Sequence, residues 1–179
     1  MMAETLLRGG APALHGSRDQ TQRLAGDHRL RPLLERVDQR CGIVAIDVER
    51  LPAEGLGFFL QGVGGLRGPP HDHGCPAVVG LVEGAEQYRL YRRDREHCAP
   101  TGVVRVAAPD VAVLDEDLVH AMWNEPGQGG LSLHLYGNAH FKEPKRRMWD
   151  PVTLKVEPFD SVRQLSLTMA MTAAAAAEA

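Results

Sequence analysis

Gly68 to Gly84, GPPHDHGCPAVVGLVEG, is the stretch that decides the fold. It opens on a turn, PPHDHG, and runs into an apolar segment, AVVGLV, at residues 77–82. Along an extended chain, side chains at i and i+2 point to one face. His71 and His73 are so spaced, and the pattern aims two imidazoles at one point. Neutral imidazole is a good ligand for iron, copper, zinc or nickel. Two ligands alone bind weakly, so a third must come from elsewhere in the chain.

On either side of this stretch the sequence keeps one character. The runs GIVAIDV (42–48), LGFFLQGV (56–63), QYRLYRR (87–93), VVRVAA (103–108), VAVLDED (111–117) and LSLHLYG (131–137) are short and apolar. Clusters of Gly, Pro, Asp or Asn separate them. Seven or so short strands with frequent turn signals predict an all-β chain, an antiparallel barrel or sandwich. No helical period interrupts residues 43–137, which argues against a parallel βαβ layout. The third imidazole is expected from His120 in EDLVHAMWN, which the returning strands of a barrel can bring to the first two.

At this point the chain resembles a known family. GPPHDHGCPAVVGLVEG is similar to the first motif of the cupins, and PDVAVLDEDLVHAMWN (109–124) to the second. The resemblance covers about residues 55–160 and implies a double-stranded β-helix, or jelly-roll, barrel. The usual first motif also carries a Glu seven residues before its Gly. Aligned on Gly84, that position is Ala77, so the carboxylate ligand is missing. What remains, His71, His73 and His120, resembles the three-histidine face of cysteine dioxygenase and related thiol dioxygenases. The strand LSLHLYG adds to this likeness through Ser132, His134 and Tyr136, the Ser-x-His-x-Tyr pattern of that group. Alternation places the three side chains on one face. Ser132 is expected to fix the His134 tautomer, and His134 the Tyr136 hydroxyl, which would donate a hydrogen bond to substrate or dioxygen at the metal.

The resemblance therefore implies a mononuclear thiol dioxygenase. Its favoured cation is Fe(II), with Ni(II) or another divalent transition metal as the alternative. Its partners are a small thiol and O2, and its product a sulfinate. Two other outcomes stay open: a cupin oxidase that rearranges or cleaves a sulfur-containing amino acid, and a non-catalytic cupin that binds metal and a small molecule. Arg50 is expected to receive a substrate carboxylate through its planar fork, with Arg67 and Gln61 as alternatives. Some thiol dioxygenases crosslink a Cys to the active-site Tyr. That Cys position is Ala77 here, so no crosslink is expected, and Cys75-Pro76 stands where many bacterial relatives have a Trp.

The remaining sequence sets the frame. Residues 1–42 read as an N-terminal helical segment packing on the barrel, because Leu30, Leu33, Leu34 and Val37 form one helical stripe. Residues 43–160 form the barrel with a covering segment at 138–160. Residues 161–179 are a low-complexity tail whose alanines favour helix, yet a short isolated helix is marginal in water. Fraying is expected there unless something holds it. Trp123 reads as a packing residue, His15, His28, His97 and His140 as surface histidines, and Lys145-Arg146-Arg147 as a solvated patch.

In 179 residues, with 44% apolar and 24% charged residues and a formal charge of −3, there is no basic field to hold nucleic acid. No apolar run is long enough to span a bilayer, and MMAETLLRGG lacks the core of a signal peptide. A cytoplasmic protein is expected, monomeric or homodimeric, with Cys41, Cys75 and Cys98 as reduced thiols.

Overall fold

The computed structural model describes residues 45–50, 56–62, 65–136 and 143–178, the first two spans by their backbone. The expected helix around Leu30, together with Cys41, His15, His28 and His140, lies outside them.

Among the described residues nine strands follow one another: β1 (Ala45–Arg50), β2 (Leu56–Gly62), β3 (Ala77–Arg93), β4 (Cys98–Ala107), β5 (Val111–Leu114), β6 (Val119–Met122), β7 (Gly130–Tyr136), β8 (Arg147–Trp149) and β9 (Val156–Pro158). A single helix among the described residues, α1 (Ser161–Ala177), ends the series. All strand pairs are antiparallel. The expectation of an all-β double-stranded β-helix holds.

The architecture depends on β3. The runs AVVGLV and QYRLYRR read as separate strands in the sequence, yet they form one strand of 17 residues. Its first half, from Ala77, pairs with β5 on one edge and β7 on the other. Its second half, from Ala85, pairs with β4 and β6. One strand thus serves two sheets. The first continues through β7 to β2 and β1. The second continues from β6 through bridges Arg67↔Trp123 and His71↔His120, then through His71↔Met148 to β8 and β9.

Gly84 makes the change of sheet possible. Its φ is +69°, and a Cβ there would lie 2.1 Å from the Gly129 carbonyl oxygen. Only glycine combines that left-handed backbone with so close an approach.

The core lies between the halves. Val79, Leu81, Tyr88, Leu90 and Leu114 are buried in one cluster, which also takes in Tyr136. Fully burying such a side chain contributes about 1.5–3 kcal/mol. A second cluster gathers Tyr91, Cys98, Val119, Ala121 and Trp149 beneath β8.

The C-terminal tail is helical from Ser161 to Ala177. Asp160 caps it, accepting from the backbone N–H groups of Val162 at 2.8 Å and Arg163 at 2.9 Å. The barrel supplies the partner that the isolated tail lacks. Thr168 is buried, and Thr172 Oγ1 accepts from the Arg67 backbone N–H at 3.0 Å. Arg163 adds exposed ion pairs to Glu157 and Asp150. Among the described residues, no helix is long and apolar enough to cross a membrane.

Candidate functional site

His71, His73 and His120 converge. Their ligand-capable nitrogens all lie within 4.8 Å of one another. Ring centroids are 5.3 Å apart for His71 and His73, 4.7 Å for His71 and His120, and 4.6 Å for His73 and His120. The local fold explains this. His71 and His120 exchange both backbone hydrogen bonds, at 2.9 and 3.0 Å, which sets the turn against β6 as an added strand.

Asp72, between the two turn histidines, points the other way and anchors the loop. Its Oδ1 accepts from the Arg147 backbone N–H at 2.7 Å, and its Oδ2 lies 3.6 Å from Arg93 and 3.5 Å from Arg147. Gly74 lets the 143–146 segment close over the loop. Its φ is +63°, and a Cβ would meet Glu143 Cγ at 2.7 Å and the Arg146 backbone N at 3.1 Å.

The nitrogen donors are oriented as well as gathered. His71 Nδ1 lies 3.1 Å from the Pro69 carbonyl, and His120 Nδ1 lies 3.1 Å from the Leu118 carbonyl. A carbonyl only accepts, so each Nδ1 carries the proton and each Nε2 keeps its lone pair. Such backbone acceptors are the usual means of fixing a metal-binding tautomer. Protonation is also disfavoured. Burial, then His120 and Arg146, hold His71 well below its ordinary value. Burial and Arg146 bring His120 down to about 4, against a backbone hydrogen bond that raises it. The three histidines could therefore hold a divalent metal, and the backbone acceptors of His71 and His120 favour the tautomer that leaves Nε2 for it.

Tyr136 stands beside this cluster, its ring centroid 5.0 Å from that of His73. Along β7, His134 Nδ1 lies 3.3 Å from the Tyr136 hydroxyl, and Ser132 Oγ lies 2.9 Å from His134 Nε2. The alternation read from LSLHLYG thus places the three side chains in one hydrogen-bonded file. Burial pushes the Tyr136 hydroxyl well up and brings His134 down to about 3. The β3–β7 register sets Ala77 opposite Tyr136, so the position of the expected crosslinking partner holds a methyl group. Cys75 is buried, and close enough to Tyr136 and Arg146 to act on both electrostatically.

The cationic residues divide. Arg50 ends β1, and Gln61 lies in β2, opposite Leu131. Their side chains lie outside the description. Arg67 is engaged elsewhere: it pairs with Glu125 at 3.2 Å and lies 4.2 Å over the Trp123 ring, which Arg89 covers at 3.6 Å. Trp123 is thus a packing residue, as expected. His97 is exposed, also as expected.

The reading of Lys145-Arg146-Arg147 as a solvated patch needs correction. Lys145 and Arg147 are exposed, but Arg146 is only 3% exposed. Its guanidinium carbon lies 3.4 Å from the centre of the Phe159 ring, and its charge reaches His71, His120 and Tyr136. Burial brings the Arg146 guanidinium down to about 10, against opposing pulls from Tyr136, Cys75 and Asp72.

Glu86 is the other residue that sequence reasoning missed. Its side chain is fully buried and accepts from Ser132 Oγ at 2.6 Å and from the Tyr88 hydroxyl at 2.5 Å. A signal for both was present. Glu86 shares its strand face with Tyr88 and Leu90, and Arg146 shares one with Met148; each lies on the apolar side of the alternation.

No protein-family model matches the chain, and no curated protein does. Solved structures do resemble it. An uncharacterized conserved protein with a double-stranded β-helix domain from Klebsiella pneumoniae subsp. pneumoniae is 14% identical, with 64% of this chain and 90% of that one covered and a TM-score of 0.47. A cupin-2 domain containing protein from Shewanella frigidimarina is 12% identical over 64% of this chain and 96% of that one, with a TM-score of 0.44. The DMSP lyase DddQ from Ruegeria pomeroyi is 14% identical over 56% of this chain and 50% of that one, with a TM-score of 0.42. These likenesses assign no reaction to the chain.

Proposed function

We propose that this protein is a mononuclear thiol dioxygenase, holding Fe(II) through His71, His73 and His120 and converting a small thiol and O2 to the sulfinate. The observation that carries the reading is the adjacency of two units: three converging imidazoles with no carboxylate grouped with them among the described residues, and the Ser132–His134–Tyr136 file ending beside His73. A ferrous ion on a neutral all-nitrogen face supplies open positions for thiolate and dioxygen and the redox chemistry that joins them. Overall, thiolate plus O2 gives sulfinate, with both oxygen atoms ending on sulfur.

The protein's own groups shape what enters. Arg146 gives the site a buried cation, suited by its planar fork to a substrate carboxylate. In this role it takes precedence over Arg50. His134 and Ser132 hold the Tyr136 hydroxyl in place next to the reacting atoms. The partners are the thiol and O2, in a cytoplasmic protein that uses no nucleic acid and no membrane and is either monomer or homodimer.

The test is oxygen uptake by iron-loaded protein with cysteine, cysteamine, mercaptopropionate and mercaptosuccinate, followed by product mass. A product equal to substrate plus two oxygen atoms is expected. No oxygen uptake with any thiol would overturn the proposal in favour of a non-catalytic binding protein. Cys75 beside Tyr136 and Arg146 favours one second reading, oxidative cleavage or rearrangement, with nickel as an alternative metal. That product would have lost carbon or gained a different mass.

A further inference from the structure

The β7 file does not end at Ser132. Ser132 Oγ lies 2.6 Å from Glu86 Oε1, and the Tyr88 hydroxyl lies 2.5 Å from Glu86 Oε2. Both lengths fall in the range of O–H bonds to an ionised carboxylate, about 2.5–2.7 Å. Glu86 is fully buried and belongs to β3, whereas the file it joins runs along β7. A buried carboxylate is costly and is retained where its oxygens are hydrogen-bonded.

We propose that Glu86 is a positioning residue that sets the direction of the relay, so that Tyr136 turns its proton toward His134 and a lone pair toward the metal side. This rests on the proposed function only in that Tyr136 faces the reacting centre. The direction follows from counting protons. An ionised carboxylate only accepts, so Ser132 and Tyr88 spend their hydroxyl protons on it. The Ser132 oxygen must then accept from His134, which puts the ring proton on Nε2. His134 Nδ1 is left bare, and the group facing it, the Tyr136 hydroxyl, must donate.

The titration tendencies of Tyr88, His134 and Tyr136 agree with this direction, and the ionised state of Glu86 rests on its two short hydrogen bonds against a net rise from burial. Burial raises Glu86, while its bonds from Ser132 and Tyr88 oppose the rise. Burial and Glu86 push Tyr88 well above its ordinary value, so it keeps the proton it donates. His134, brought down to about 3 by burial and His120, is neutral at physiological pH and has one N–H to give. Tyr136, pushed up mainly by burial, stays protonated.

The consequence concerns the ligand. With its proton committed to His134, Tyr136 is an acceptor for a proton-bearing group of the bound small molecule, such as an ammonium or a hydroxyl. This is the opposite of the donating role expected from the β7 pattern. A neutral amide at position 86 can donate to Ser132 and so reverse the file.

The test reads the His134 tautomer directly, by histidine 15N NMR on the full-length protein loaded with diamagnetic Zn(II). The wild type is expected to show the Nε2–H tautomer at neutral pH. Glu86→Gln is expected to shift the population toward Nδ1–H. Ser132→Ala, which cuts the link while keeping Glu86 in place, should weaken the Nε2–H preference, and it serves if Glu86→Gln fails to fold. An Nδ1–H tautomer in the wild type, or an unchanged tautomer in every folded variant, would overturn the proposal.

Kinetics add a second reading in the iron-loaded protein. Glu86→Gln is expected to lower kcat roughly 10- to 100-fold with KM little changed, and to cost nothing further in a Tyr136→Phe background. Multiplying losses in the double variant would mean that Glu86 does not act through Tyr136. The tautomer needs no turnover, so a correct tautomer without oxygen uptake would refute thiol oxidation and leave the relay standing. Turnover with the wrong tautomer would do the reverse.

Discussion

Burying a guanidinium costs several kcal/mol unless its charge is compensated. Arg146 is 3% exposed, stacked on Phe159, and close to His71 and His120, whose protonation burial disfavours. Its Nε lies 3.5 Å from the Asp72 carbonyl. The role proposed for its charge is to meet a substrate carboxylate. Arg146→Met keeps much of the stem packing and removes the charge. It should raise KM for mercaptopropionate about 10- to 100-fold, the worth of one charge-assisted hydrogen-bonded contact. Cysteamine, which has no carboxylate, should be little affected. Oxygen-uptake kinetics with the two thiols would check this, and equal losses for both would contradict it. Tyr136→Phe should slow turnover roughly 100-fold with metal content unchanged, as measured by elemental analysis beside the same assay.

Single residues also show where the sequence is legible. His71, His73 and the β7 file were readable because a period of two fixes which side chains share a face. Glu86 and Arg146 obey the same period, but a charged residue is ordinarily exposed, so alternation alone does not assign either to the interior. Ser132 and Tyr88 reconcile Glu86 with burial, and these partners lie on another strand or on the same apolar face. Contacts between strands cannot be read from one strand's alternation.

At the scale of elements, β3 and α1 carry what local sequence signals do not disclose. Glu83-Gly84 looked like a turn between two strands. The chain instead passes through it as one strand, because Gly84 takes a positive φ against Gly129 while pairing changes partners around it. The helix α1 looked marginal because its stability comes from docking, through Thr168 and Thr172 on the Arg67–Gly68 segment, which no local signal discloses. That segment leads directly to His71. Asp160→Ala removes the cap and should cost about 1 kcal/mol of stability, read by urea unfolding. The ion pairs of Arg163 are exposed and should contribute little beside it. An unchanged unfolding midpoint would mean that α1 contributes nothing to the barrel.

Over the whole molecule, the site's cost is its buried, neutral histidines. A histidine whose folded pKa lies below its unfolded value of about 6.5 binds a proton in the unfolded chain first. Stability from such a group is therefore complete above that value and falls as pH drops toward the folded one. His134, at about 3 when folded, should cost the protein about 1.4 kcal/mol per pH unit across most of this window. In chelated protein, His134→Gln should flatten the acid side of the stability profile by that slope. Urea titrations at pH 6 and pH 4 would show it, and parallel profiles would contradict it.

The account turns on three imidazoles from the 71–73 turn and β6 closing on one cation. Its most direct measurement is anaerobic titration of the chelated protein with Fe(II), in wild type and in His120→Ala. One iron per chain is predicted for the wild type and loss of stoichiometric binding for the variant. Equal stoichiometric binding by both, or none by the wild type, would contradict it.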